Sequence, residues 1–361
     1  MKLFNLLLIP FVYGNIFFHI SDIHLDLQYS ENSPANCVIG DLLTTRCCRK
    51  NSIAKYPYRN ASKWGDYNCD TPELLFNLTL SSMNKLEPNP DFIIMSGDIV
   101  GHHDLEQNWR LNKDTMIIGM SLIQSYFPNT LILSSIGNHD TYPIDQLYPN
   151  NIEYNQFIHS LWGRNSSYLY KIGNVTIVSL NTLYYEKYNI FKKFGDNGQF
   201  EWFENILKHT KNVWIIGHIF PFCEEATKEY SKKMVELIMK YNVKYQFWGH
   251  THYDQFIIYP NKSGIGWIVP SVMPDKHASS FRMYEWDGIN KITNYWNFVS
   301  NLSGNYEEYY NAKEEYNLDG MEIEDWIKII GNTTLENRYC KLYNIDETIT
   351  NCTKLIKQII I

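Results

Sequence analysis

The sequence predicts an α/β protein built mainly as one large domain. Short apolar runs rich in β-branched and aromatic residues alternate with longer segments of helical periodicity, which is typical of an α/β sandwich. The chain has 361 residues, of which 44% are hydrophobic, and this is enough to bury a large core. Five of the apolar runs end in Asp, His or Asn, four of them through a Gly, so polar side chains gather where strands are expected to stop.

The N-terminal segment has the pattern of a secretory signal peptide. Lys2 precedes the apolar run Leu3–Val12, and the small residue Gly14 follows it. The alternative is a first strand that continues into the next apolar run, but Pro10 argues against one unbroken strand. We predict that residues 1–14 are a signal peptide and that the protein is secreted, either to the extracellular space or to a lysosome-like compartment. No other segment reaches the roughly 18 consecutive apolar residues of a membrane span.

The predicted elements follow from the periodicity of the apolar residues. The predicted strands are Ile16–Ser21, Asp91–Ser96, Leu131–Ile136, Tyr168–Ile172, Val175–Asn181, Val213–Gly217, Tyr245–Trp248, Phe256–Tyr259, Gly266–Val269, Arg282–Trp286 and Ile292–Phe298. The predicted helices are Pro72–Leu86, Asp104–Tyr126, Tyr154–Leu161, Gly198–Lys208 and Ala226–Tyr241.

Two stretches fall outside this alternation. Residues 32–69 contain many turn residues and little periodicity, which predicts a long loop. After about Val299 the chain is rich in Tyr, Glu and Asn at helical spacing, without further strand signals. We therefore expect a main domain over residues 15–300 and a small helical C-terminal subdomain over residues 301–361.

The cysteines fit an exported protein. Cys47 and Cys48 are adjacent and would pair with each other only under strain, so each is expected to pair elsewhere. A zinc site on the four cysteines of the long loop is the alternative, but paired C-x2-C units are missing, which favours disulfides. Cys223 is the odd cysteine, expected to be a buried free thiol. The six cysteines expected in disulfides are Cys37, Cys47, Cys48, Cys69, Cys340 and Cys352.

Eight N-x-S/T sequences are candidate glycosylation sites if the chain enters the secretory path. Such sequences also arise by chance in an Asn-rich chain, so each is weak evidence alone. The eight asparagines are Asn60, Asn77, Asn165, Asn174, Asn261, Asn301, Asn332 and Asn351.

The charge of the chain argues against nucleic acid as a partner. The formal net charge is -7, and no cluster of Lys and Arg is present to neutralise a phosphate backbone. The 27 Tyr and 10 Trp residues include candidates for a rim that contacts a membrane peripherally, and this alternative stays open. We expect the protein to be a monomer.

The polar ends of the predicted strands carry the main functional signal. Ligands of open α/β sheets bind beyond the carboxyl ends of the strands, and Gly permits sharp turns and close approach there. Each junction is a weak signal alone, whereas all five in order after strands are specific. The junctions are Asp22-Ile23-His24, Gly97-Asp98, Gly137-Asn138-His139-Asp140, Gly217-His218 and Gly249-His250-Thr251-His252.

These junctions supply enough donors for two divalent transition metals if one carboxylate bridges them. No cysteine is among the donors, which argues against a closed structural zinc site. Two ions roughly 3.5–4 Å apart clamp a phosphoryl group and activate water for in-line displacement. The seven candidate ligands are Asp22, His24, Asp98, Asn138, His218, His250 and His252.

The ordered set DIH, GDIVGHHD, GNHD, GHI and GHTH resembles the calcineurin-like metallophosphoesterases, whose fold is a four-layer β-sandwich flanked by helices. Within that superfamily the chain looks most like the acid sphingomyelinases and acid sphingomyelinase-like phosphodiesterases, over about Phe17 to Cys352. Four features carry this closer resemblance. They are the early cysteines with CCRK and KWGDYNCD, His102 four residues after Asp98, GDNGQFEWF before the GHI motif, and a late pair of cysteines.

The resemblance implies a role for each site residue. One zinc ion would be held by Asp22, His24, Asp98 and His252. A second zinc ion would be held by Asp98, Asn138, His218 and His250, with Asp98 bridging the two ions. His139 and His102 would flank the leaving group as catalytic residues, because His is the commonest general acid or base.

The resemblance also implies the reaction. A hydroxide held by the two zinc ions would attack phosphorus in line, and protonated His139 or His102 would give a proton to the leaving alkoxide. The expected substrate is a small phosphoester, either a nucleotide or a phospholipid head group. The leading interpretation is a secreted phosphodiesterase acting on a nucleotide-type phosphoester or on sphingomyelin. The first alternative is a true sphingomyelin phosphodiesterase that releases phosphocholine and ceramide.

Two further hypotheses about the function of the chain are less well supported by the sequence. A phosphomonoesterase of the purple acid type would need a Tyr ligand near the Gly-Asp junction, and none is placed there. A catalytically silent binding protein would lack a metal ligand, whereas all seven are present.

Asp22 follows directly on the predicted signal peptide, so we expect no saposin domain before it. The family's GHIPPG becomes Gly217-His218-Ile219-Phe220-Pro221-Phe222, and the Asn-Pro often found near residues 274–281 is missing.

Overall fold

Two six-stranded β-sheets form the centre of the molecule. The computed structural model describes residues 14–38, 46–102, 107–274 and 277–343. The twelve strands are β1 (Asn15–Ile20), β2 (Phe92–Met95), β3 (Leu131–Ser134), β4 (Tyr168–Ile172), β5 (Val175–Ser179), β6 (Val213–Ile216), β7 (Tyr245–Trp248), β8 (Gln255–Ile258), β9 (Ile265–Ile268), β10 (Ser279–Trp286), β11 (Ile292–Ser300) and β12 (Glu307–Asn311).

Both sheets mix parallel and antiparallel pairs. The first sheet has the order β12-β11-β10-β1-β2-β3, with β1, β2 and β3 parallel. The second has the order β4-β5-β6-β7-β9-β8, with β5, β6, β7 and β9 parallel. The parallel strands of each sheet end at one edge, which is where the polar junctions of the sequence lie.

The central strands are buried on both faces, as expected for parallel strands covered by other layers. Phe17 of β1 faces the space between the sheets, where its ring lies 5.9 Å from that of Trp214 of β6. The next residue, Phe18, points to the opposite face and lies 6.2 Å from the ring of Phe127. Side chains of both sheets therefore interdigitate in one core, and a second core lies beneath the helices.

Five helices that precede the C-terminal part cover the outer faces of the sheets and complete a four-layer arrangement. Phe76 and Met83 of the first helix and Met116 of the second join the core that contains Phe18. Asn108 caps the second helix by accepting a hydrogen bond from the N–H of Leu111. The helices are α1 (Glu73–Leu86), α2 (Trp109–Tyr126), α3 (Ile152–Trp162), α4 (Gln199–His209) and α5 (Lys228–Tyr241). None of the helices in the described ranges is long and apolar enough to cross a membrane.

The C-terminal part differs from the helical subdomain that the sequence predicts. It begins with a strand, β12, which pairs with β11 at the edge of the first sheet, so the expectation of no strand after Val299 is wrong. The exposed side chains of Glu307 and Glu308 leave this edge strand without an apolar alternation. The helices α6 (Ala312–Glu315), α7 (Ile323–Ile327) and α8 (Thr333–Tyr343) follow. Trp326 of α7 is fully buried, 4.8 Å from the ring of Phe256.

The other predicted elements are confirmed within a few residues of their ends. The widest difference is at α2, which begins at Trp109 and not at Asp104; residues 103–106 lie outside the described ranges. The predicted signal peptide, residues 1–14, also lies outside them except for Gly14.

The long loop between β1 and α1 is held by disulfides, as the sequence predicts. Cys37 pairs with Cys47, and Cys48 pairs with Cys69, so the alternative of a zinc site on these four cysteines is wrong. Cys340 is disulfide-bonded too, and Cys352 lies outside the described ranges. Cys223 is a buried free cysteine.

Candidate metal centre

Seven candidate ligands from five strands meet at the carboxyl edges of the two sheets. The side chains lie at the ends of three strands of the first sheet and two of the second. Neighbouring strands in each sheet bring together residues that are far apart in the chain. The candidate ligands are Asp22 and His24 after β1, Asp98 after β2, Asn138 after β3, His218 after β6, and His250 and His252 after β7.

The first group of donors combines Asp22, His24, His252 and Asp98. Nε2 of His24 lies 3.1 Å from Nε2 of His252 and 3.6 Å from Oδ2 of Asp98. Nε2 of His252 lies 3.6 Å from Oδ1 of Asp22. One ligand atom from each of Asp22, His24 and His252 lies within 4.8 Å of the others, which is the spacing of side chains that can share one metal ion.

The second group combines Asp98, Asn138, His218 and His250. Nε2 of His218 lies 3.2 Å from Oδ2 of Asp98 and 2.9 Å from Oδ1 of Asn138. Nδ1 of His250 lies 3.1 Å from Oδ1 of Asn138 and 3.2 Å from Nε2 of His218. Oδ2 of Asp98 therefore faces His24 in the first group and His218 in the second, in the position of a bridging carboxylate.

Five of the seven candidate ligands have a positive φ angle, which residues with a Cβ rarely adopt. The φ angles are 50° for Asp22, 45° for His24, 55° for Asp98, 80° for His250 and 66° for His252. Strained residues persist where the surrounding structure holds them, and they cluster at functional sites. The backbone at each strand end is thus bent so that the side chain points into the site.

Glycines before two of the ligands permit this crowding. A Cβ on Gly137 would lie 2.0 Å from Oδ1 of Asp98, and a Cβ on Gly249 would lie 2.0 Å from Oγ of Ser21. Neither approach is compatible with a side chain at that position. The Gly at these junctions is required by close contact between neighbouring strand ends.

Three of the imidazoles are oriented by hydrogen bonds at the nitrogen that faces away from the site. Nδ1 of His24 lies 3.0 Å from the carbonyl oxygen of Val100, and Nδ1 of His218 lies 2.7 Å from that of Ser96. A nitrogen that donates to a carbonyl leaves the other ring nitrogen with its lone pair directed inward. Nε2 of His250 lies 3.3 Å from Oε2 of Glu225, so this ring directs Nδ1 inward.

The donor set fits divalent cations. Imidazole nitrogens of His24 and His252 face each other at 3.1 Å, a distance at which two lone pairs repel unless a cation or proton lies between them. The carboxylates of Asp22 and Asp98 are buried beside them. Burial alone would lower the pKa of His218, but the neighbouring carboxylates of Asp98 and Asp22 raise it to about 9. This local excess of negative charge is what a metal cation would balance, and oxygen and imidazole donors suit zinc and similar ions.

One buried and one half-buried carboxylate support the candidate ligands without facing the site. Asp140 is fully buried and accepts hydrogen bonds from the backbone N–H groups of Asp98 and Gly137, among others. Oδ1 of Asp145 accepts a hydrogen bond from Nδ2 of Asn138 at 2.8 Å, which directs Oδ1 of Asn138 into the site. Outer partners of this kind orient ligands and tune their affinity.

His102 and His139 lie together beside the first group of donors. The ring of His102 is stacked on that of His24 at 4.0 Å, and the ring of His139 lies 4.3 Å from that of His102. Nδ1 and the backbone N–H of His102 both contact the buried carboxylate of Asp70, at 2.9 and 2.6 Å. The backbone N–H of His139 donates to Oδ1 of Asp98 at 2.8 Å. Burial lowers the pKa of His139 well below its ordinary value.

Four of these supporting residues were not predicted from the sequence. Asp140 is the last residue of the GNHD junction, and Asp70 directly follows Cys69, so both stand in segments that carry other predicted site or disulfide residues. Glu225 has no comparable local signal, because its contact with His250 joins separate loops. Asp145 follows Asn138 in the same connection between β3 and α3, at a position that no motif marks.

A cleft of about 710 Å³ opens over the site. His102, Asn138 and His139 form part of one side. Aromatic side chains from three separate segments form much of the remaining lining, and two of them come from α8 of the C-terminal part. These side chains are Phe220, Phe222, Tyr253, Phe256, Tyr339 and Tyr343.

The comparisons with known proteins agree with this geometry. The sequence profile of the calcineurin-like phosphoesterase family matches residues 17–254, which is most of the chain. A relative described as sphingomyelin phosphodiesterase A, from Dictyostelium discoideum, is 30% identical over 89% of this chain and 61% of its own length. The chain thus spans about three-fifths of that relative, at 61% of its length.

Two mammalian relatives are covered more fully. An acid sphingomyelinase-like phosphodiesterase 3b from Mus musculus is 30% identical over 86% of this chain and 76% of its own length. The human cyclic GMP-AMP phosphodiesterase SMPDL3A is 25% identical over 94% of this chain and 85% of its own length.

A solved structure supports the fold alone. A dimetal phosphatase from Danio rerio superposes with a TM-score of 0.52 at 11% identity, covering 82% of this chain and 98% of that one. The sequence profile and the relatives show that the chain belongs to the calcineurin-like phosphoesterase family and, within it, to the group of sphingomyelin phosphodiesterases and acid sphingomyelinase-like phosphodiesterases.

Proposed function

We propose that this protein is a secreted phosphodiesterase that hydrolyses a small phosphoester at a centre of two zinc ions. The observation that carries the proposal is the pair of donor groups that share Oδ2 of Asp98, which lies 3.6 Å from Nε2 of His24 and 3.2 Å from Nε2 of His218. A single structural metal site would not need two groups of donors from two sheets, whereas phosphoester hydrolysis uses two ions side by side.

The proposed ligands form two sets, which are the two donor groups that the distances define. Bound there, two divalent ions would polarise the phosphoryl oxygens and lower the pKa of a water molecule. One ion would be held by Asp22, His24, Asp98 and His252. The other would be held by Asp98, Asn138, His218 and His250. The inward nitrogens of His24, His218 and His250 are fixed for this role by their outer hydrogen bonds.

His102 is placed to give a proton to the leaving alkoxide. Its Nδ1 lies 2.9 Å from Oδ1 of Asp70, which holds the ring in place, as a carboxylate does for a catalytic imidazole. The ring of His139 packs against it at 4.3 Å and also lines the cleft. We propose His102 and His139 as the catalytic residues, with His102 as the proton donor and His139 as its neighbour on the leaving-group side.

The aromatic side chains that line the cleft provide a surface for the rest of the substrate. The ring of Tyr343 is stacked on that of Tyr253 at 4.7 Å, so α8 contributes directly to this wall. Aromatic faces stack on nucleobases and also attract the quaternary ammonium of a choline group. We propose a nucleotide-type phosphodiester as the leading substrate class, and sphingomyelin as the alternative, since relatives of the chain carry both descriptions.

Several features agree with export. Two disulfides hold the long loop near the site, and such bonds persist in oxidising compartments. Among the candidate glycosylation sites in the described ranges, Asn77 is half-buried and the others have exposed side chains. We propose that the exposed asparagines carry glycans in the secreted protein. They are Asn60, Asn165, Asn174, Asn261, Asn301 and Asn332.

Product analysis on the secreted protein tests the proposal. The protein is incubated separately with sphingomyelin, ATP and a cyclic dinucleotide, and Asp98→Ala serves as the variant without a bridging carboxylate. Cleavage of a nucleotide substrate but not of sphingomyelin supports the leading assignment. Release of phosphocholine supports the alternative. Equal rates for the wild type and Asp98→Ala on every substrate would show that the cleavage comes from another enzyme in the preparation.

A further inference from the structure

A third group of ligating side chains lies on the wall of the cleft, outside the two groups described above. Sγ of Cys223 lies 2.9 Å from Oε2 of Glu225, and the same oxygen lies 3.3 Å from Nε2 of His250. One ligand atom from each of the three residues lies within 4.8 Å of the others. Cys223 and Glu225 come from the loop after β6, and His250 comes from the end of β7.

The chemistry of this group differs from that of the proposed catalytic centre. A thiolate, a carboxylate and an imidazole are the ligand types of tetrahedral zinc sites, and the sulfur favours soft ions such as Cd²⁺. The catalytic donors contain oxygen and nitrogen only. All three residues also line the cleft, so a cation bound to them keeps an open coordination position for water.

We propose that Cys223, Glu225 and Nε2 of His250 form an inhibitory site for a soft divalent cation, taken up when zinc or cadmium is in excess. Binding does not depend on the proposed function, whereas inhibition does. The cation replaces the hydrogen that Cys223 donates to Glu225, so the thiol proton is released to solvent as the metal–sulfur bond forms.

His250 explains why occupancy inhibits. Its Nδ1 faces Asn138 and His218 at 3.1 and 3.2 Å, within the second catalytic group. A neutral imidazole has one nitrogen with a free lone pair, so it serves one cation at a time. A cation at Nε2 therefore withdraws His250 from the second catalytic site.

The thiol remains protonated until such a cation arrives. Burial and the nearby carboxylate of Glu225 raise the pKa of Cys223 well above its ordinary value. A coordinating metal ion reverses this preference, because a bound thiol is deprotonated outright.

Cadmium titration of the metal-loaded protein tests the site. We expect ultraviolet absorption from thiolate-to-cadmium charge transfer that saturates at one added equivalent, with activity falling in parallel. In Cys223→Ser the absorption disappears. The inhibitory concentration rises about 10-fold or more, since the loss of even an outer partner of a metal ligand costs about 10–100-fold in affinity. The wild type and variant are each compared with their own rate without cadmium.

Two controls keep the result interpretable. The thermal unfolding temperature of Cys223→Ser shows whether the variant is folded, and the absorption is readable even in a protein without activity. Since four of the remaining cysteines are paired as Cys37–Cys47 and Cys48–Cys69, they do not contribute thiolate absorption. Absorption that persists in Cys223→Ser, or wild-type inhibition without any absorption, would overturn the proposal.

Discussion

Oδ2 of Asp140 accepts a hydrogen bond from the backbone N–H of Asp98 at 3.0 Å. The same carboxylate accepts from the N–H groups of Ile99, Val100 and Gly137, at distances of 2.8, 3.2 and 2.9 Å. One buried side chain therefore fixes the turn that places the proposed bridging ligand. Because its carboxylate is directed at backbone groups and not at the site, Asp140 supports the centre without being a ligand.

Replacing Asp140 tests this support. Asp140→Ala leaves several buried N–H groups without an acceptor, and each such loss costs about 1–3 kcal/mol of stability. We also expect zinc affinity to fall by about 10–100-fold, the usual effect of removing an outer partner of a metal ligand. Zinc dissociation constants and thermal unfolding temperatures measure the two effects. Asp114→Ala, at an exposed position of α2, is the matched control; equal zinc affinity in both variants would contradict the role of Asp140.

The proton-donor role of His102 predicts a dependence on the leaving group. His102→Ala is expected to lower kcat by about 10²–10⁴-fold on an alkyl phosphodiester, because the alkoxide then leaves without a proton. A nitrophenyl phosphodiester needs no such proton, so the variant should lose much less on that substrate. His159→Ala, at an exposed position of α3, should match the wild type on both. An equal loss of kcat on both substrates would show that His102 maintains the structure of the site and does not donate the proton.

A buried ion pair ties the GHTH junction to the first sheet. Nη2 of Arg282 donates to Oδ1 of Asp254 at 2.7 Å, and the hydroxyl of Tyr310 on β12 donates to Oδ2 at 2.6 Å. Arg282→Met leaves the Asp254 carboxylate buried without its cation, which is expected to destabilise the protein by about 3–5 kcal/mol. Chemical denaturation measures this cost. Adding Asp254→Leu to the same variant should recover part of the loss, and no recovery would argue against an unpaired charge as its cause.

Glu186 predicts a dependence of stability on pH. Burial, with the nearby Asp145 carboxylate, raises the pKa of Glu186 from 4.5 to about 8. A carboxyl with a raised folded-state pKa binds its proton more tightly in the folded protein. The stabilisation that this tighter proton binding gives to the folded protein is therefore complete below pH 4.5, and it is lost as the pH rises through about 8.

Thermal unfolding of Glu186→Gln between these pH values checks the sign. The uncharged amide removes the titration, so the variant should lose less stability than the wild type between pH 5 and about pH 8. The exposed Glu229→Gln on α5 should follow the wild type. If the unfolding temperatures of the wild type and of Glu186→Gln changed equally with pH, Glu186 would be ionised in the folded protein at acidic pH.

The sequence predicts the strands and the proposed ligands because both leave local signals. Each of the five junctions follows an apolar run, and a Gly before Asp98, Asn138, His218 and His250 marks the tight turn. The same reasoning brings these residues to one edge, where the structure places them. The division into two groups around Asp98 rests on a family resemblance, since spacing along the chain does not show which donors face each other.

Several other features depend on contacts between distant segments. Glu225 meets His250, and Asp70 meets His102, across loops whose approach is determined by the packing of the two sheets. The strand β12 was missed because an exposed edge strand with Glu307 and Glu308 lacks apolar alternation. Propensity and periodicity describe local preference, whereas these features arise from tertiary structure.

The metal content of the purified protein tests the two-metal centre most directly, by elemental analysis of the wild type and Asp98→Ala at equal concentration. We predict two zinc ions per chain in the wild type. We predict fewer than one in the variant, because Asp98 faces both donor groups. Asp114→Ala should keep the wild-type value. A wild-type protein with no more than one ion, or an Asp98→Ala variant with two, would contradict a two-metal centre bridged by Asp98.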